Sequence, residues 1–137
     1  MNTSLRTWLS NRLGAATITI ALLVVGVASQ AQNNTAYGSW TLHSNTTGGG
    51  NSAFGNDALF LNTTGYNNTV IGFGALFSNF TGYDNTANGY DALYANVGNA
   101  NTANGYDALY NNITGFNNTA NGVQALFSNT VRYDNLF

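Results

Sequence analysis

The sequence predicts an all-β fold, a parallel β-solenoid of about six 17-residue coils. Three observations predict it. The phrase "NTANGYDALY" occupies residues 85–94 and returns at residues 101–110. Looser copies of the same phrase run from residue 34 to residue 134 at a 17-residue period. In every copy Gly and Asn hold fixed places, which opposes helix and suits tight corners. Seventeen residues are too few for a pair of helices. They suffice for one coil made of two short strands and two turns, stacked on its neighbours.

The units follow one another without spacers. They read NTAYGSWTLHSNTTGGG (34–50), NSAFGNDALFLNTTGYN (51–67), NTVIGFGALFSNFTGYD (68–84), NTANGYDALYANVGNA (85–100), NTANGYDALYNNITGFN (101–117) and NTANGVQALFSNTVRYD (118–134). The fourth has lost one residue near its second turn, and a seventh starts at Asn135.

Each column of the alignment has a physical task. The fifth place is always Gly (Gly38, Gly55, Gly72, Gly89, Gly105, Gly122), the residue that accepts positive φ at a corner. The ninth is always Leu (Leu42, Leu59, Leu76, Leu93, Leu109, Leu126), which strand alternation turns inward together with the third-place Ala. The first and twelfth places are always Asn. Stacked about 4.8 Å apart, Asn side chains can hydrogen-bond along the axis as ladders.

A core of six Leu is too thin to offset the ordering of a hundred residues, so more apolar surface has to be buried. The tenth place supplies His43, Phe60, Phe77, Tyr94, Tyr110 and Phe127, beside the inward Leu and therefore expected to face out. Rings recur at the sixth place (Phe73, Tyr90, Tyr106) and at the sixteenth (Tyr66, Tyr83, Phe116, Tyr133). An outward aromatic ladder marks an association surface. Phe60, Phe77, Tyr94, Tyr110 and Phe127 are its candidate residues, read as burial between chains.

Residues 1–31 are of another kind. Arg6 and Arg12 precede an apolar run over residues 13–28, and Ser29 and Ala31 stand at the two small-residue places of an A-x-A-like site. This is the pattern of a secretory signal peptide cut after Ala31, leaving residues 32–137 as the repeat domain. The alternative, a membrane anchor, needs roughly 20 apolar residues, more than the run contains. Membrane contact is thus expected only in transit, and the destination is the outside of the cell or its surface. The exported part keeps Arg132 as its one basic residue against five Asp, a net charge of about −4. Neither that charge nor the −2 of the whole chain offers a basic footprint for nucleic acid.

Chemistry has few residues to work with. The chain contains no Cys, Lys, Pro or Glu. Without Cys there is no disulfide, thiol nucleophile or thiolate metal site. His43 is the single imidazole and occupies an aromatic column, as a ladder residue does. Asp57, Asp91 and Asp107 share the seventh place, where either calcium ligation or an Asx-type turn is conceivable. Calcium takes six to eight converging oxygens, and one carboxylate per coil favours the turn. Gly48, Gly49 and Gly50 lack the following Lys of a phosphate loop and read as a flexible corner. The N-x-T sequons at Asn62, Asn67, Asn112 and Asn117 follow from a repeat rich in Asn and Thr. A single Thr column at the second place falls short of the paired Thr columns of an ice-binding face. No catalytic residue, cofactor or metal site is expected, and a hydrolase on this scaffold would lack an acid–base set.

The phrase N-T-A-x-G-x-x-A-L-x-x-N-x-T-G resembles the head repeats of trimeric autotransporter adhesins of the YadA type. It is similar also to the tandem 17-residue "NTAIGxxAL" repeats of bacterial surface and tail-fibre-like proteins. The resemblance covers residues 34–134. It implies a left-handed parallel β-roll, associated as a trimer and displayed outside the cell for attachment. Such proteins usually continue into an anchored stalk or a self-cleaving chaperone domain, and neither is recognised in this sequence. At the fourth place, usually aliphatic in head repeats, stand Tyr37, Phe54, Ile71, Asn88, Asn104 and Asn121. Two functions are therefore expected as alternatives. One is a non-enzymatic exported module, similar to an adhesin head, whose repetitive surface binds an extracellular ligand. The other is an extracellular fibre subunit that stacks through its open strand edges.

Overall fold

The structure is a computed structural model that describes residues 33–137; the segment read as a signal peptide lies outside the described residues. Each coil contributes one three-residue strand from its second to fourth places. These are β1 (Thr35–Tyr37), β2 (Ser52–Phe54), β3 (Thr69–Ile71), β4 (Thr86–Asn88), β5 (Thr102–Asn104) and β6 (Thr119–Asn121). They form one parallel sheet in chain order. The register pairs like with like: Thr69 with Thr86, Val70 with Ala87, Ile71 with Asn88. The all-β parallel solenoid of six coils is what the period predicts.

The short fourth unit does not break this register. Thr86 pairs with Thr102 although they are only sixteen residues apart. The missing residue is absorbed at the corner between Val97 and Gly98. Val97 N donates to Ile113 O at 2.8 Å before it, and Asn117 N to Asn99 O at 3.1 Å after it. Residues of the seventh unit continue the stack, with Leu136 bridged to Thr119 and Phe137 N donating to Thr119 O at 2.8 Å.

One expectation needs correction. The reading of two strands per coil fails, because the second side is built of turns. Bonds from Ala58 N to Gly55 O (3.3 Å), Tyr94 N to Asp91 O (3.2 Å) and Asn62 N to Leu59 O (3.2 Å) mark overlapping turns along it. The seventh place has positive φ, 60° at Asp57 and 53° at Asp107. All six ninth-place Leu do too, at 52–54°. A left-handed Leu costs about 1–2 kcal/mol relative to its usual conformation. Its side chain nevertheless fills the interior, and the coil-to-coil bonds persist. Leu59 N donates to Ala75 O at 3.1 Å and Leu76 N to Ala92 O at 2.8 Å. Leu is thus inward, as expected, but by a turn and not by strand alternation.

The interior is narrow. Leu59, Leu76, Leu93 and Leu109 are fully buried, with the third-place Ala53, Val70, Ala87, Ala103 and Ala120. The eighth-place Ala58, Ala75, Ala92 and Ala108 complete it, while Leu42 and Leu126 of the outermost coils are only partly covered. Two Asn ladders flank this apolar line, and their members are buried from Asn51 to Asn118. In the first-place ladder, Asn68 sends both its backbone N and its Nδ2 to Asn51 Oδ1, each at 3.0 Å. In the twelfth-place ladder, Asn79 Nδ2 reaches Asn62 Oδ1 at 3.0 Å and Asn112 Nδ2 reaches Asn96 Oδ1 at 2.8 Å. Buried amides of this kind are tolerated because they are paired.

The fifth-place glycines are needed where one coil covers another. Their φ lies between 130° and 145°, and a Cβ on Gly55 would run into the carbonyl of Gly72.

Candidate interaction surface

A straight stack with constant register turns every outward place into a column of side chains at one spacing. The tenth-place column runs His43, Phe60, Phe77, Tyr94, Tyr110, Phe127, with ring centroids 5.0–5.2 Å apart and planes within 13° of parallel. Near-parallel rings at that separation are offset-stacked. Their faces are turned to one another along the axis, and only their edges to solvent. Trp40 closes the lower end against His43 at 4.9 Å and 59°. His43 is therefore a ladder residue.

The proposed association residues Phe60, Phe77, Tyr94, Tyr110 and Phe127 are half-buried within their own chain. Part of the apolar surface assigned from sequence to contacts between chains is already covered here. The freer rings are elsewhere. Phe73, Tyr90 and Tyr106 of the sixth place are 46–49% exposed while stacking at 5.3 and 5.2 Å. Around the glycine corner from them, the fourth place exposes Tyr37, Phe54 and Ile71 in the first three coils. It then turns polar at Asn88, Asn104 and Asn121, where Asn104 Nδ2 donates to Asn121 Oδ1 at 2.8 Å.

The seventh-place acids are brought into one column, between the sixth- and tenth-place rings. Asp57, Asp91 and Asp107 all have positive φ, which suits the turn reading. Gly74 takes this place in the third coil, and a Cβ there would collide with Asp91 Oδ1. That oxygen is buried without a hydrogen-bond partner. Burial, and secondarily the carboxylate of Asp107, hold the Asp91 carboxyl above its usual range. The neighbouring Asp91 charge raises Tyr90, and burial foremost raises Tyr110. Gln124 Nε2 lies 3.5 Å from Asp107 Oδ2 at the other end. Among the described residues no group of three or more His, Cys, Asp or Glu could hold a metal ion.

Sequence reasoning missed two contributors. The eighth-place Ala of the inner coils is as fully buried as the Leu beside it, and its recurrence in five of the six units was the available signal. The role of Gly74, which leaves room for Asp91, has no signal in one sequence beyond the break it makes in the Asp column.

Comparison with known proteins adds no relative. No protein-family model matches the chain, and neither curated proteins nor solved structures give a match. The molecule is a parallel solenoid of 17-residue repeats, an architecture consistent with repeat proteins in general.

Proposed function

We propose that the chain is an exported attachment module, similar to an adhesin head, that presents its columns to an extracellular ligand. The observation that carries this reading is the constant register of exposed side chains. Phe73, Tyr90 and Tyr106 repeat at 5.2–5.3 Å, and a partner that grips one rung meets the same rung again. Such repetition multiplies a weak contact by raising its effective concentration. Three copies packed through aromatic columns would bury the ring edges that a single chain leaves wet. Export rests on the sequence pattern of residues 1–31.

The test displays the full chain on a bacterial surface and measures adhesion to host cells and to immobilised matrix. Adhesion that falls when Tyr90 and Tyr106 are changed to Ser supports the reading; absence of adhesion to every surface overturns it. Sedimentation of the exported chain at micromolar concentration tests the trimer, for which a folded monomer is the adverse result.

A second reading, a fibre subunit, is favoured by one feature. Among the described residues no strand pairs with the outer edge of β1, and its three residues are exposed, an open template for another strand. Mass that grows without limit in the same sedimentation run would select it.

A further inference from the structure

The sixteenth-place aromatic column is interrupted at one rung. Tyr66 stacks on Tyr83 at 4.8 Å and 4°, and Phe116 stacks on Tyr133 at 4.9 Å and 5°. Between the two pairs, the sixteenth place of the shortened coil belongs to Asn99. The backbone there keeps its register. Ala100 N donates to Tyr83 O at 3.0 Å and Asn117 N to Asn99 O at 3.1 Å, as Asp84 N does to Tyr66 O at 3.1 Å. Asn99 therefore stands directly between Tyr83 and Phe116, where the coils on both sides carry a ring.

Its side chain does not fill that rung. Asn99 Oδ1 accepts the backbone N–H of Tyr83 at 3.0 Å, which draws the short amide back against the chain. Its Nδ2 donates to no side chain or carbonyl among the described residues. The break is local, because the tenth-place column passes through the same coil as Phe77, Tyr94 and Tyr110 at 5.0 and 5.1 Å.

The dimensions suit one occupant. Two rungs span about 9.6 Å, twice the spacing of neighbouring strands. A ring placed midway would lie about 4.8 Å from each neighbour, a normal offset-stacking distance. Tyr83 and Phe116 are each held from outside the gap by Tyr66 and Tyr133, so neither has to move. Each already has one face covered and offers the other. Phe116 is 43% exposed and Tyr83 is half-buried. A puckered ring is thicker than a planar one and would force the two apart.

We propose that Tyr83, Asn99 and Phe116 form a slot for a single planar aromatic ring that carries a hydrogen-bond acceptor at its edge. The two rings sandwich the ligand, and Asn99 Nδ2 donates to its acceptor. A phenol is the simplest member of the class. The site is independent of whether the chain serves in attachment.

The test titrates the full chain with p-cresol and follows the ring protons of the ligand by NMR. Saturable upfield shifts, one site per chain, are expected, with cyclohexanol giving none. Asn99→Tyr supplies the missing ring from the chain itself and should weaken p-cresol binding at least tenfold. Phe116→Leu removes one wall and should weaken it severalfold, and this arm decides the matter if Asn99→Tyr fails to fold. Asn99→Ala should weaken p-cresol but leave toluene unchanged, while Tyr37→Ser, at an exposed ring of the first coil, should alter neither. Shifts that survive both Asn99→Tyr and Phe116→Leu, or that cyclohexanol reproduces, overturn the proposal, as does the lack of any saturable shift.

Discussion

Asn51 and Asn62 donate their side-chain amides to the same carbonyl, that of Gly65, at 2.9 and 3.0 Å. One belongs to the first-place ladder and the other to the twelfth, so the shared oxygen ties the two ladders together within a coil. The pattern repeats upward: Asn68 and Asn79 meet at Gly82 O, and Asn101 and Asn112 at Gly115 O. Along the axis each amide also bonds to its own column. A two-dimensional polar net therefore closes one side of the narrow Ala and Leu interior. It explains how a chain with so little apolar volume can be held in one register, since any slip breaks a whole row of buried amides.

Asn85→Asp tests the net at its centre. Asn85 Nδ2 donates to Asn68 Oδ1 and Gly98 O, and its Oδ1 accepts from Asn101 N at 3.0 Å. A carboxylate keeps the accepting side and sets an oxygen against two oxygens on the other. The expected loss is at least about 3 kcal/mol at neutral pH. Urea denaturation measures it, and a loss below about 1 kcal/mol would mean the ladder contributes little.

Leu93→Ala tests the interior. Leu93 is fully buried and packs in a core whose other members are mainly Ala. Removing its side chain should cost about 2–5 kcal/mol, because so thin a core has nothing with which to refill the space. Tyr94→Ser next to it removes a half-buried ring stacked on Phe77 and Tyr110. A smaller loss of stability is expected there, and equal losses would contradict the inward and outward assignment of the two places.

The period, the Gly corner and the Leu column were legible because stacking imposes the same demand on the same place six times. Conformation within the coil was less so. Leu at φ of 52–54° runs against residue preference, and one sequence gives no sign that a constant Leu sits in a turn. The tenth-place rings were recognised as a ladder, yet their mutual stacking follows from coil spacing and not from residue type. Asn99, taken by itself, is one more polar residue in a shortened unit. Its importance depends on the rings one coil away on either side.

Stability should fall as pH rises through the carboxylate range. The Asp91 carboxyl is held above its usual range by burial first and by the Asp107 carboxylate second. The folded chain therefore holds a proton that the unfolded chain, with Asp near about 3.9, has already released. That contribution is present in acid and is lost as pH climbs through the raised value. Facing Asp91 are Gly74, Tyr90, Tyr94, Asp107 and Tyr110, none of which can supply a compensating positive charge. Asp91→Asn should flatten the slope of stability against pH and raise stability at pH 7. Thermal unfolding at several pH values reads both, and an unchanged slope would locate the titration elsewhere.

Two glycines of one column should respond differently to the same substitution. Gly55 has φ of 137° and Gly122 of 130°, so Ala strains the backbone at both by about 1–3 kcal/mol. Only Gly55 is covered by a following coil, and a Cβ there meets the carbonyl of Gly72, which is locked in the coil-to-coil bonding. At Gly122 nothing lies within 4 Å of the added carbon. Gly55→Ala should therefore cost clearly more than Gly122→Ala, because two coils must part to admit the methyl group. Parted coils also lengthen the bond from Gly72 N to Phe54 O, now 2.8 Å. Amide exchange at Gly72 should then quicken in Gly55→Ala, while exchange at Gly122 stays near its original rate in Gly122→Ala. Equal costs in the two variants would show that the left-hand corner alone demands glycine, and that the close approach of stacked coils does not.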